Sequence, residues 1–343
     1  MRPPQPAGWS SIPDHPGMME RLDLLRSWLV EELRLDGRNI TPASEDASFR
    51  RYFRVSWQDE SAIVMDAPPD KEDCAPFIDV TARLRKCRVN APAIRAADLR
   101  RGFLLLDDLG KQLYLDALTP DNADSLYSEA MRALVRIQRH AETAGLPPYD
   151  EALLQREMAL FRDWLVERHL RIPLTPAVRK LLERTFALLA GSALEQPRVF
   201  VHRDYHSRNL LVTHGGGPGI IDYQDAVHGP ITYDLVSLLK DCYVKWPRDR
   251  VLRWVEEYLA MADWDTGDAE RFLRWFDLMG AQRHLKASGI FARLRHRDGK
   301  AGFIRDIPRT LSYILDLEAV YPELAPLADF IRERVMPELE RRG

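Results

Sequence analysis

The run Val201-His202-Arg203-Asp204-Tyr205-His206-Ser207-Arg208-Asn209-Leu210-Leu211-Val212, with Gly219-Ile220-Ile221-Asp222-Tyr223-Gln224-Asp225 close behind it, decides how the rest of the chain reads. Val199 to Val201 is an apolar lead-in of strand type, and the polar residues after it follow neither helical nor strand periodicity, so they form a loop. Leu210 to Val212 is a second short strand, and the turn His214-Gly215-Gly216-Gly217-Pro218-Gly219 returns the chain through Ile220 and Ile221. A hairpin of that length sets Asp222 beside Asn209, with Asp204 a few residues upstream. An amide oxygen and a carboxylate are hard oxygen ligands, and a second carboxylate is a proton acceptor. Phosphoryl transfer from a Mg-nucleotide needs that set.

The spacing of the histidine, aspartate and asparagine, with a further aspartate downstream, resembles the catalytic loop of kinases. Any one of these residues alone is an ordinary polar loop residue; the constellation carries the reading.

Working outward, 343 residues suit two unequal lobes or one large domain. With 45% hydrophobic and 29% charged residues the chain is of ordinary soluble globular type. A net charge of −3 gives no general attraction to nucleic acid or to an anionic membrane. Cys74, Cys87 and Cys242 are too few and too far apart for a disulfide framework or a zinc site, which fits a reduced cytoplasm. No apolar run reaches membrane-span length, and residues 1–17, with Pro3, Pro4, Pro6, Pro13 and Pro16, read as a flexible tail.

Upstream of the decisive run, residues 18–106 read as a first lobe. Leu22, Leu25, Leu29 and Leu33 recur at helical spacing between Met18 and Leu35. In Ser44-Glu45-Asp46-Ala47-Ser48-Phe49-Arg50-Arg51-Tyr52-Phe53-Arg54-Val55, small polar residues lead into an alternating aromatic strand, and Ser61 to Met65 forms the next strand. This order lets backbone N–H groups and the hydroxyls of Ser44 and Ser48 face triphosphate oxygens, although a plain Ser-rich hairpin fits the residues equally. The loop holds no glycine, and Met65 stands where the kinase pattern places a phosphate-gripping lysine. Arg50, Arg51 or Arg54 is left to supply that charge; a catalytically silent scaffold is the competing reading.

Residues 74–89 read as a helix of this lobe, followed by strands over 93–99 and 102–106. The apolar strand running into Asp107-Asp108-Leu109-Gly110 is expected to be an interlobe hinge, residues 107–110. Its backbone, at the Asp107 carbonyl and the Leu109 N–H, would meet the adenine edge, while the Asp107 and Asp108 side chains belong to a solvated turn.

Residues 111–343 read as a helical second lobe, with core stripes through Leu126 to Ile137, Leu153 to Leu165 and Val178 to Leu189. Gly229-Pro230 reads as a turn, and Asp234 as a structural residue that holds the catalytic loop. Ten Lys or Arg residues against three Asp fall between Arg271 and Arg309, in a chain that is net negative. A solvated basic face is one account of that surplus; a pocket for an anionic group is the other, with Gln282 to Lys286 and Arg293 to Arg297 as its candidates.

The motifs HRDYHSRNLLV and IDYQD, and more weakly the chain over residues 20–340, resemble the aminoglycoside phosphotransferase superfamily of small-molecule kinases. DASFRRYFRV, IVMDAPP, LLLDDLG and QRHLKASGIFARL are similar to its branch of anomeric sugar kinases acting on N-acetylmuramate and N-acetylglucosamine. That branch also carries methionine before the DAPP run. The resemblance implies an α+β, protein-kinase-like two-lobe fold, with a small antiparallel-sheet N-lobe and a large, mostly helical C-lobe. It implies ATP and Mg2+, Asp204 as the catalytic base, and Asn209 and Asp222 as metal ligands. Ser44, Asp46, Ala47, Ser48, Phe49, Arg50, Arg54, Asp107 and Leu109 are the expected nucleotide contacts. His202, Tyr205, His206, Asp225, Arg283, His284 and Lys286 are the candidate substrate contacts. The implied role is recovery of cell-wall amino sugars by a cytoplasmic, monomeric enzyme; an aminoglycoside or choline type of kinase is the alternative.

Overall fold

The computed structural model describes residues 16–35, 39–45, 49–262, 264 and 268–342. The chain divides into two compact units, residues 1–75 with 93–108, and residues 76–92 with 109–343.

In the first unit, α1 (Pro16–Ser27) precedes five strands: β1 (Ile40–Glu45), β2 (Arg51–Trp57), β3 (Glu60–Asp66), β4 (Ile94–Asp98) and β5 (Phe103–Asp107). They form one antiparallel sheet in the order β1-β2-β3-β5-β4. β3 is central, so its residues Ala62, Val64 and Met65 are buried and its apolar run needs no polar alternation. One face packs Val55, Val64 and Phe103 under Leu25, Trp28 and Leu29, the buried face of the first helical segment. β1 is a correction to the sequence reading, which took Ser44 as loop. The Ile40–Glu45 strand has a register shift at Pro42 and pairs Ser44 with Tyr52. A proline-interrupted, small-residue edge strand carries little periodicity to detect.

The segment read as a first-lobe helix, α2 (Ala75–Lys86), lies almost wholly in the second unit. There Phe77 stacks on Tyr223 with ring centroids 5.1 Å apart, and the Thr81 hydroxyl meets the Tyr223 hydroxyl at 2.8 Å. The rest of this unit is mainly helical: α3 (Tyr114–Ala117), α4 (Ala123–His140), α5 (Glu151–Leu160), α6 (Pro176–Leu194), α7 (Tyr233–Leu239), α8 (Arg248–Ala262), α9 (Ala269–Asp298) and α10 (Ile307–Leu315). α9 is its axis, buried along most of its length. Gly289 lets α9 approach the C-terminal end of α5: a Cβ there would lie 2.3 Å from the Leu160 carbonyl carbon. Not even a methyl group fits at such a crossing, which is why the helix carries glycine in mid-span.

Two short ladders interrupt the helices. β6 (Arg198–Val201) pairs with β9 (Val227–Pro230), and β7 (Leu210–Leu211) pairs with β8 (Gly219–Ile220), both antiparallel. Gly229-Pro230 is therefore strand and not turn. Pro230 sits at the end of a two-stranded ladder, where its missing N–H is tolerated, and Gly229 makes room for the Tyr149 ring.

Candidate active site

β6 delivers the loop and the β7–β8 hairpin returns it. Ile221 N–H donates to the Asn209 carbonyl at 3.2 Å, which closes the hairpin and sets Asp222 beside Asn209. The Asn209 amide nitrogen donates to Asp222 Oδ2 at 3.1 Å and to the Asp204 carbonyl at 3.0 Å. Gln224 holds the other Asp222 oxygen at 2.9 Å. With its nitrogen so used, the Asn209 side chain has its amide oxygen left as an acceptor. No group of three or more His, Cys, Asp or Glu residues among the described residues forms a self-contained metal cage. One carboxylate and one amide oxygen suit a cation that takes its remaining ligands from phosphates and water, as Mg2+ does.

Two residues of the loop adopt left-handed backbone, Arg203 at φ +78° and Asp222 at φ +62°. Both are non-glycine and stay there only because neighbours over-determine them. Arg203 is fixed by Asp234, wholly buried on α7, whose two oxygens accept the His202 N–H at 2.6 Å and the Arg203 N–H at 3.0 Å. Burial pushes the Asp234 carboxyl up to about 7, against those two N–H groups and Arg283. Asp241 fixes the far side of the loop: it accepts the Ser207 N–H at 3.0 Å and the Ser207 hydroxyl, and binds Tyr243 N–H at 3.0 Å.

Asp204 itself differs from both. It is half-buried, and no hydrogen bond reaches its carboxylate among the described residues. Burial raises its pKa, but Lys286, His206, Arg283 and Arg203 outweigh that and hold it at about 2. The result is an ionised acceptor with vacant lone pairs.

Behind the loop lies a buried network that the sequence reading missed. Glu157 on α5 is 5% exposed and pairs with Arg203 at 2.5 Å and Lys286 at 3.0 Å, and Tyr149 donates to it. Burial lifts the Glu157 carboxyl, and Lys286 and Arg203 more than reverse it. The available signal was a lone carboxylate on the apolar stripe of Leu154, Met158 and Phe161.

The candidate substrate residues divide sharply. His202 and Tyr205 are fully buried; the His202 ring accepts the Asp204 N–H at 3.3 Å and the Tyr205 hydroxyl donates to the Ala130 carbonyl at 2.8 Å. Burial drops the His202 pKa to about 4, so the ring is neutral at pH 7. These two are scaffold. His206 is half-buried against Tyr243, with ring centroids 5.7 Å apart, and Asp225 is exposed. Gln282 to Lys286 are all buried, so this turn of α9 is not an open pocket wall. Arg283 donates to the Arg203 carbonyl at 3.3 Å and stands over the Tyr233 ring, and Lys286 also reaches the Tyr233 hydroxyl at 2.8 Å. His284 stacks on Tyr313 at 4.5 Å and contacts the Lys240 carbonyl at 2.9 Å; burial drops its pKa to about 3. The positive charge of this turn compensates Glu157 and Asp204 from inside.

Of the nucleotide candidates, Asp46, Ala47 and Ser48 lie outside the described residues, and Ser44 is on β1. Phe49 is 64% exposed, its N–H donating to Glu72 at 2.9 Å, and Arg50 pairs with the same carboxylate at 2.9 Å. Arg54 is committed elsewhere, bidentate to Asp108 at 2.6 and 2.9 Å. Arg51 and Arg21 both grip Asp66. The Asp107 and Asp108 side chains are thus not a solvated turn: Asp107 accepts from Ala93 N–H at 3.0 Å and Arg95 at 2.7 Å, and Asp108 also from Ser61 at 2.8 Å. Leu109 packs under β8, where a Cβ on Gly219 would come within 3.2 Å of it.

Residues 39–276 match the phosphotransferase enzyme family. A Pseudomonas aeruginosa protein named N-acetylmuramate/N-acetylglucosamine kinase is 50% identical over 296 residues, 85% of this chain and 87% of its own length. Proteins of the same name from Pseudomonas putida and Caulobacter vibrioides are 46% and 31% identical, over 91% and 87% of this chain and 96% and 92% of theirs. Among solved structures, the ethanolamine kinase of Plasmodium vivax superposes with a TM-score of 0.63 at 11% identity, covering 88% of this chain and 89% of its own. An aminoglycoside 2'-phosphotransferase solved with GDP gives 0.60 at 15% identity, covering 90% and 99%. At such identities the likeness is one of fold, the protein-kinase-like α+β fold.

Proposed function

This chain belongs to the phosphotransferase enzyme family, and on that premise we propose that it is an ATP-dependent sugar kinase acting on the C1 hydroxyl of N-acetylmuramate and N-acetylglucosamine. The observation that carries the chemistry is the Asp204 carboxylate, ionised and without a hydrogen bond among the described residues, five residues before the Asn209 whose amide holds Asp222. The choice of sugar follows from relatives of that name at 40–50% identity.

In this reading Asp204 accepts the hydrogen of the C1 hydroxyl and aims its oxygen at the terminal phosphate. A carboxylate held near pKa 2 is a weak base, so orientation outweighs basicity; an anomeric hydroxyl is more acidic than an ordinary alcohol and asks for less. Asn209 and Asp222 would hold Mg2+, which when bound neutralises phosphate charge. Ser44, Asp46, Ala47, Ser48 and Phe49 receive the triphosphate, with Arg50, braced by Glu72, as the cation beside it. The Asp107 carbonyl and Leu109 N–H meet the adenine. The enzyme acts in the cytoplasm as a monomer, returning cell-wall amino sugars to use as 1-phosphates.

The test is ADP release by purified protein with Mg-ATP and N-acetylmuramate, N-acetylglucosamine, kanamycin or choline, with Asp204→Ala as control. Release with both amino sugars, a C1-phosphate product and loss in the control are expected. Release with neither amino sugar, or undiminished turnover in Asp204→Ala, overturns the proposal.

A further inference from the structure

The basic surplus between Arg271 and Arg309 meets the catalytic loop in two places, while Arg274 and Arg297 pair with Glu323 and Asp298. Its inner part, Arg283 and Lys286, is consumed by buried groups behind Asp204. Its outer part meets the catalytic loop at a cavity of about 630 Å³ bounded by Leu113, Leu115, Asp116, Arg208, Tyr243, Arg305, Asp306 and Arg309. All of these residues belong to the second unit.

Three guanidinium groups line this cavity, and they are held differently. Arg309 is the brace, donating to Asp306 at 2.8 Å and to the Cys242 carbonyl at 3.2 Å. Asp306 is thereby neutralised. Arg208 lies over the Tyr243 ring at 4.8 Å and the Phe303 ring at 5.3 Å, so two aromatic faces fix its plane while its charge has no ion-pair partner among the described residues. Arg305, on the 3-10 turn Ala301–Asp306, is exposed and likewise has no carboxylate partner among the described residues. Asp116 is the one acidic side chain left to oppose them. A rigid guanidinium beside a second unpaired one is the arrangement that binds a carboxylate with paired, directional hydrogen bonds.

The cavity is also tied to the catalytic base. Arg208 follows Asp204 by four residues in one loop, and Tyr243 carries Arg208 on its ring and meets the His206 ring. Asp241 locks Ser207 to Tyr243 N–H, and Leu115 N–H binds the Ser207 carbonyl at 3.0 Å, so the cavity wall and the loop are one hydrogen-bonded body.

We propose that Arg208 and Arg305 receive the carboxylate of the substrate, and that this cavity is what separates a sugar acid from its neutral counterpart. The inference rests on the sugar-kinase reading, and it moves the anion contact from Arg283 to the outer arginines. N-acetylmuramate carries a lactyl ether carboxylate that N-acetylglucosamine lacks, so one enzyme serving both needs a site that uses the carboxylate without demanding it. A partly open cavity wall does that; a sealed ion pair would leave unpaired buried charge whenever the neutral sugar bound.

The experiment compares wild type, Arg305→Gln, Arg305→Glu, Arg208→Gln and Arg283→Ala with three sugars: N-acetylmuramate, its methyl ester and N-acetylglucosamine. Each pair is measured as kcat/KM with Mg-ATP and as equilibrium binding by calorimetry. Arg305→Gln is expected to lose at least ~10-fold more on the free acid than on the ester or N-acetylglucosamine, through KM, and Arg305→Glu more again. Losses equal across the three sugars, or larger for Arg283→Ala than for Arg305→Gln on the acid-to-ester ratio, overturn it. The binding arm needs no turnover. If no sugar is phosphorylated yet the acid binds more tightly than its ester in an Arg305-dependent way, the kinase reading fails and this inference stands; acid and ester binding alike in wild type sinks the inference.

Discussion

Asp66 in the sheet and Asp204 in the catalytic loop are both carboxylates withdrawn from water among arginines, and they do opposite things. Asp66 ends β3 fully buried, with Arg21 Nε on one oxygen and Arg51 Nε on the other, each at 3.0 Å. Its lone pairs are spent on holding α1 and β2 to the strand. Asp204 has three cations near it, Lys286, Arg283 and Arg203, and among the described residues a hydrogen bond from none of them. Field without contact keeps a carboxylate ionised and leaves it open to a substrate hydroxyl; contact without surplus field makes it a rivet.

The largest expected effect separates the two on activity. Asp204→Asn keeps the shape and removes the acceptor, and kcat is expected to fall by ~10²–10⁴, the usual worth of a positioned base. Circular dichroism should be unchanged. A fall below tenfold in steady-state assays would make Asp204 another rivet and end the contrast.

Asp66→Asn should do the reverse. It leaves Arg21 and Arg51 half-buried beside a neutral amide, and breaking one partner of a buried set costs about 3–5 kcal/mol, less here for the solvent that screens the two arginines. Urea melts should show that loss, while kcat of the protein that remains folded stays within a few-fold. A variant that melts normally and turns over poorly would show that Asp66 belongs to the chemistry.

How much of this was readable before the structure follows the same division. The hairpin and the Asn209–Asp222 meeting were legible because strand, turn and strand are all local, and the turn length fixes which side chains face each other. The first lobe's β2, β3 and β5 were legible from alternation and apolar runs. β1 was not, since an edge strand with a proline lacks a pattern. The fates of Arg283, Lys286, Arg208 and Arg305 were not legible either. Charge in sequence gives the sign of a residue, and only tertiary packing says whether Glu157 has already claimed it. Nor could sequence join α2 to Tyr223, a contact across more than a hundred residues.

A third test sets Asp204 against Asp234, using pH. Burial raises the Asp234 carboxyl from 3.8 to about 7 in the fold. The folded state therefore holds its proton more tightly, and that stability is full below about pH 3.8 and lost as pH rises through about 7. Asp204 is lowered from 3.8 to about 2, so its contribution is present above 3.8 and lost only as pH falls through 2. Between about pH 4 and 7, wild type should lose up to about 4 kcal/mol relative to Asp234→Asn, whereas Asp204→Asn should run parallel to wild type. Chemical denaturation at several pH values reads both slopes. A slope that survives in Asp234→Asn assigns the titration elsewhere.

The smallest effect concerns the cation that stands in for the lysine absent at Met65. Arg51 and Arg54 are consumed by Asp66 and Asp108 in direct contacts of the rivet kind. Arg50 shares Glu72 with the Phe49 N–H, so the same carboxylate orders both the arginine and the backbone just before it. A lysine paired with a glutamate grips the phosphates in kinases, and an Arg50–Glu72 pair would reproduce it from the residue just before β2. Arg50→Ala is then expected to raise the KM for ATP by ~10-fold, about 1.4 kcal/mol, with KM for the sugar unmoved. Glu72→Gln should do the same more weakly, because it loosens the arginine without removing it. If Arg54→Ala raises the ATP KM more than Arg50→Ala does, the Arg54–Asp108 contact is no rivet, and direct contact would no longer distinguish structural charges from working ones in this protein.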